Sequence, residues 1–108
     1  MGLFSAFSSR GKAMAAYKEG MKKAKLRDWP GAIDRYTSVM EMANAPPDLK
    51  AMAQFNRALA YNSERDFDNA KRDLDAVIAV KETPPNVRTA AEEKLARMQR
   101  RLDRAEGE

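Results

Sequence analysis

RDWPGA at Arg27–Ala32 and RDFDNA at Arg65–Ala70 decide how this chain folds. Arg, Asp and the closing Ala are identical in both, and Trp29 answers to Phe67. The hexamers lie 38 residues apart, and the same offset aligns their flanks. Ahead of them Ala13 pairs with Ala51, Ala15 with Ala53, Tyr17 with Phe55 and Gly20 with Ala58; behind them Val39 pairs with Val77, Met40 with Ile78 and Met42 with Val80. One further step sets Pro46-Pro47 on Pro84-Pro85, Leu49 on Val87, Lys50 on Arg88, Ala53 on Ala91 and Ala58 on Ala96. Self-similarity at a fixed period marks a repeat array. The chain reads as two full units and the first half of a third.

Each unit reads as a pair of helices. Ile33, Tyr36, Val39 and Met40 recur at helical spacing after Pro30-Gly31, and Phe67, Ala70, Leu74, Val77 and Ile78 do so in the second copy. The stretch before each hexamer is rich in Ala, Met and Lys or in Leu49, Met52, Phe55 and Leu59. Pro-Pro suits a helix start, where the missing N–H has no intrahelical partner. Pro30-Gly31 is tolerated for the same reason, inside a first turn opened by Asp28, as Asp66 opens its counterpart. Thr83 and Asn44 are the expected N-caps of the fifth and third helices. The last helix keeps only a thin apolar stripe of Val87, Ala91, Leu95, Met98 and Leu102, with polar residues elsewhere, and reads as a cap. No stretch reads as a strand, so an all-α chain of five helices is expected, as two antiparallel hairpins and a terminal helix.

The pattern resembles the tetratricopeptide repeat. Gly20, Asp28-Trp29, Ala32-Ile33 and Tyr36 match its spaced positions in the first copy, and FNRALAYNSERDFDNA at Phe55–Ala70, with Ala58, Tyr61, Phe67 and Ala70, in the second. The resemblance implies a right-handed stack of antiparallel hairpins, an α-α superhelix. Its units would be repeat one at about 12–45, repeat two at about 46–83 and a capping helix at about 84–105, in a domain of 12–108. Residues 1–11 would form an extension, flexible or partly helical. Gly20, Ala32, Ala58 and Ala70 would let helices approach, and Trp29, Tyr36, Tyr61 and Phe67 would fill the core beside them. The offset of 38 exceeds the family's usual length, which places extra chain in each second helix or its connection.

Composition excludes more than it selects. With 108 residues, 44% hydrophobic and 33% charged, this is one domain of ordinary folded composition. The absence of Cys and His removes disulfides, thiolate chemistry, most transition-metal sites and every His-based triad. No glycine cluster suggests a phosphate loop, and no metal or cofactor is expected. Asp73 and Asp75 point to different sides of a helix, which leaves no carboxylate pair for acid–base work. The expectation is of a protein that is not an enzyme.

The charge of +4 is uneven, since residues 1–30 carry seven Lys or Arg against Glu19 and Asp28. No apolar run reaches the length of a membrane span, and the GLFSAF start at Gly2–Phe7 fits neither a signal peptide nor an acylation signal. A cytoplasmic chain is expected.

In such a family the first helix of each unit lines a concave groove. The groove positions implied here are Met14, Tyr17, Lys18, Met21 and Lys25, then Met52, Phe55, Asn56 and Leu59, and on the cap Lys94 and Arg97. Met and aromatic residues at its centre suit an apolar partner and the lysines an acidic one. Members that clamp the acidic tail of heat-shock chaperones use set Lys, Asn and Arg positions, of which only Asn56 matches here, with Lys94 standing in for the Arg, so that clamp is not implied. The resulting expectation is a protein–protein interaction module, an adaptor or chaperone-like binder of an apolar or acidic peptide segment. The alternatives are a self-assembling structural repeat protein, and membrane or nucleic-acid attachment through the basic N-terminal region.

Overall fold

The computed structural model describes residues 8–107, and among these the backbone forms five α-helices and no strand. They are α1 (Ser9–Lys25), α2 (Trp29–Glu41), α3 (Pro47–Ser63), α4 (Phe67–Ala79) and α5 (Pro85–Gly107). A shift of 38 carries the bounds of α1 onto α3, those of α2 onto α4, and the start of α3 onto that of α5. The repeat seen in the side chains is therefore also a repeat of the backbone. Ser8 opens α1 by accepting the Gly11 N–H, so the helix takes in Ser9, Arg10 and Gly11 of the expected extension. The GLFSAF residues Leu3, Phe4 and Phe7 lie outside the described residues.

The quoted hexamers are the corners of the hairpins. Arg27 and Arg65 sit at φ 62° and 64°, the left-handed conformation that ends helices. Asp28 N–H donates to Lys23 O and Arg27 N–H to Ala24 O, both at 2.9 Å. Asp66 N–H to Tyr61 O and Arg65 N–H to Asn62 O repeat the pair in the second unit. These two bonds close a Schellman turn and satisfy carbonyls that a helix end would leave bare. The next residue then starts the following helix: Asp28 accepts the Gly31 N–H at 3.0 Å and Asp66 the Asn69 N–H at 3.3 Å. Gly31 has a steric role too, because a Cβ there would run into the Asp28 carboxylate.

An Arg in the left-handed region costs about 1 kcal/mol that a Gly would not. Arg27→Gly is therefore expected to raise stability by about 0.5–1 kcal/mol in chemical denaturation. Arg65→Gly should gain less, because the Arg65 guanidinium lies 5.7 Å from the centre of the Phe67 ring and that contact would be lost.

The Pro-Pro starts differ from expectation in their caps. Pro46 caps α3 with no side-chain hydrogen bond, so Asn44 has no capping role. Thr83 does not cap α5; it is buried, and its hydroxyl donates to Val77 O at 2.8 Å, closing the end of α4. Arg88 joins it there, donating to the carbonyls of Ile78 and Val80. The longer helix of each hairpin is the first, at 17 residues, and the second has 13. The extra length of the unit thus does not lie in the second helices.

Each helix packs against the next in the chain, and α1 touches α3, and α3 touches α5, more lightly. That order of contacts is the one a stack of hairpins produces. The array is elongated, 61 Å by 30 Å by 18 Å. Its interior falls into two clusters. Ala13, Tyr17, Ala32, Tyr36, Val39, Leu49 and Ala53 form the first; Ala58, Ala70, Leu74, Val77, Ala91 and Met98 form the second. Gly20, Ala32, Ala58 and Ala70 are buried where close approach was expected. A Cβ on Gly20 would lie 2.6 Å from a ring carbon of the fully buried Tyr36. In the second unit Ala58 takes the place of Gly20 and the smaller Leu74 the place of Tyr36.

Among the described residues one buried ion pair joins the two helices of the second unit, and its arginine reaches on to the first. Asp73, 2% exposed, receives Arg57 in a two-pronged contact, Nε to Oδ2 at 2.8 Å and Nη2 to Oδ1 at 2.7 Å. Gln54 also donates to Asp73, and Arg57 donates to the Thr37 hydroxyl of the preceding unit. Bonding to the carboxylate holds the guanidinium above its ordinary pKa. Arg57 also lies 5.7 Å from the centre of the Tyr61 ring.

Candidate functional site

The packing leaves an open cleft between the first helices. α1 contributes Met21, Ala24 and Lys25, α3 contributes Asn56, Leu59, Ala60, Asn62 and Ser63, and α5 contributes Lys94. Trp29 and Tyr36 of α2 close its inner wall. The volume is about 470 Å³, enough for a bulky side chain and its neighbours. Small residues keep it open. At the matching place one unit on, Asn62 stands for Ala24, Met98 for Ala60 and Arg101 for Ser63. There the space shrinks to about 190 Å³.

Five of the expected groove residues come together here: Met21, Lys25, Asn56, Leu59 and Lys94. The others do not. Tyr17 is 7% exposed and belongs to the first core cluster, its ring tilted against that of Tyr36 with 5.9 Å between centres. Met14 and Met52 pack against that same cluster and Phe55 against the second, because the helices are close enough to draw the centre of the expected groove into the core. Lys18 is exposed on α1 beside Met21 and Lys22 but does not line the cleft, and Arg97 is exposed outside the lining. Trp29, expected in the core, is instead a half-buried wall of the cleft. Phe67 and Tyr61 are also only partly buried, packed against the second cluster, whereas Tyr36 is fully buried.

The polar groups of the cleft are partly committed. Asn56 Nδ2 donates to the Tyr17 hydroxyl and to Met52 O, both at 2.9 Å. Burial raises the pKa of Tyr17, and burial with the neighbouring Tyr17 pushes Tyr36 up to about 12, so both remain neutral phenols at ordinary pH. Burial, then Arg97 and Arg101 nearby, holds the Lys94 ammonium below its ordinary value. Lys94 is thus a cation in positive surroundings, and an anion brought beside it would relieve that crowding.

A second cavity of about 470 Å³ opens at the other end of the hairpins, between the 42–46 and 80–84 connections. Its charges, Lys50 and Glu82, offset one another. Among the described residues no group of three His, Cys, Asp or Glu is placed to hold a metal ion, and no helix is long and apolar enough to cross a membrane. Comparison with protein-family models, with curated proteins and with solved structures gave no match.

Proposed function

We propose that the protein is an interaction module of the tetratricopeptide type, a right-handed stack of hairpins that binds a segment of another protein in the cleft between α1 and α3. The observation that carries this reading is the cleft itself: an apolar lining of Leu59 and Trp29 between two lysines, kept open by Ala24, Ala60 and Ser63 where the matching space of the next unit is narrowed. A packing defect would cost stability with nothing in return. An arrangement of small residues flanked by the exposed Lys25 and the partly buried Lys94 instead offers an anchor pocket with a polar rim, the usual anatomy of a recognition site. The outward positions of α5, among them Glu92, Gln99, Arg100 and Asp103, are exposed and polar, which suits a cap and disfavours self-stacking through that end.

The test is the Met21→Glu/Leu59→Glu double variant. It is expected to lose the partners that the wild type captures from native-cell lysate, read by mass spectrometry, with far-UV circular dichroism unchanged. Neither residue belongs to the buried core, so folding should persist. Unchanged capture would remove the cleft from consideration. Phe55, by contrast, is unsuitable for such a variant, since an acid there would attack the second cluster.

A further inference from the structure

The basic side of the cleft continues beyond it. Lys18, Lys22 and Lys25 stand at i, i+4 and i+7 on α1 and so share one face over about 10 Å of helix. All three are exposed, and with Met21 they line a shallow depression of about 300 Å³. Met21 and Lys25 line the cleft as well, so the depression and the cleft are continuous. The ion pairs that α1 makes among the described residues are Arg10 with Asp48 and Lys23 with Asp28, and neither uses these lysines. Cations in a last turn are favoured by the helix dipole alone. That explains Lys22 and Lys25 in the last turn of α1, but not Lys18 a turn earlier, nor Met21 left 48% exposed among the lysines.

We infer that the occupant of the cleft is a protein segment with one bulky apolar side chain followed by a run of acidic residues. The apolar side chain enters over Leu59 and Trp29, and the acidic run leaves across α1 along Lys18, Lys22 and Lys25. This rests on the cleft being the protein-binding site proposed above. Complementarity of charge and shape carries the choice of partner. Carboxylates at i, i+4 and i+7 of a partner helix span the same 10 Å or so as the three lysines. Met21 offers the methylene-and-sulfur surface over which such a helix slides into register. A polynucleotide would match the charge but not the rest, since single strands need aromatic faces to stack on. Tyr17 and Tyr36 are buried at 7% and 1% exposure, and Trp29 is half-buried in the wall.

Selection from a random peptide library displayed on phage tests this with the whole chain immobilised. The expected winners carry a bulky apolar residue with Asp or Glu clustered on one side of it. In fluorescence anisotropy at low salt they should bind at least about tenfold more tightly than the same peptides with Asn and Gln in place of the acids, and high salt should erase that margin. A Lys18→Gln/Lys22→Gln/Lys25→Gln variant should select the apolar residue without the acids. Winners of neutral or basic composition, or the same winners from the lysine variant, would overturn the acidic partner while leaving the cleft as a binding site. Failure to enrich any peptide would overturn the cleft reading itself, and this inference with it. Binding of poly-uridylate as tight as that of the winners, unaffected by Leu59→Glu, would overturn a protein partner in favour of nucleic acid.

Discussion

Asp73→Ala is expected to lower the stability of the fold by about 3 kcal/mol or more, an effect out of proportion to the few atoms removed. The carboxylate is only 2% exposed and is the shared acceptor of Arg57 and Gln54. Its loss leaves a guanidinium, itself largely sheltered at 18% side-chain exposure, facing its remaining partner, the Thr37 hydroxyl. Breaking a buried pair costs more than the pair contributes, because the surviving charge is stranded. The double change Arg57→Met/Asp73→Leu should therefore recover most of the loss in urea denaturation. If Asp73→Ala costs under about 1 kcal/mol, the pair is effectively solvated and does not fasten α3 to α4.

Gly20→Ala is expected to destabilise by about 1–2 kcal/mol, opposite in sign to what the same change does on an exposed helix. In the open, Ala gains about 0.5–1 kcal/mol over Gly from the entropy of the unfolded chain. Here the added methyl would meet the Tyr36 ring at 2.6 Å, and that ring has no room to yield because it is 1% exposed. The second unit shows the remedy, Ala58 with Leu74. Gly20→Ala combined with Tyr36→Leu should therefore cost less than the sum of the two single changes, by about 1 kcal/mol or more in a double-mutant cycle. Additivity within error would mean that the two positions do not touch as described.

Much of the backbone was legible in the sequence because it is written twice. A helix corner needs a left-handed residue, a cap and a close approach within a few positions, and Arg27-Asp28 and Arg65-Asp66 supply the first two locally. Information of that kind survives in a one-dimensional pattern. The offset of 38 then carried each corner to its counterpart. Thr83 misled because a hydroxyl before Pro-Pro looks like a cap, whereas the chain folds it back onto Val77 of the previous helix. The Arg57–Asp73 pair left no local trace at all, being 16 residues apart on separate helices.

The cleft was legible in part, and the reason is again geometric. Periodicity identifies which face of α1 and α3 is inward but not how far down that face the neighbouring helix reaches. Tyr17 and Met52 lie where the helices touch, while Met21 and Leu59, about a turn or two further along, lie where they part. The resemblance puts Trp29 in the core, as the aromatic of its repeat position. It remains half-buried because Ala24, Ala60 and Ser63, the side chains around it, are too small to cover it. Only the comparison of the two units, with Met98 and Arg101 at the matching positions, reveals that smallness as what keeps the cleft open.

That comparison also supplies the most direct measurement. Ala60→Met combined with Ser63→Arg sets in the first unit two of the three larger side chains that the second already contains, so helicity and melting temperature should stay close to those of the wild type. The variant is expected to lose at least about tenfold in affinity for peptides selected by the wild-type protein, measured by fluorescence anisotropy. Equal affinity in a folded variant would contradict the assignment of binding to this cleft.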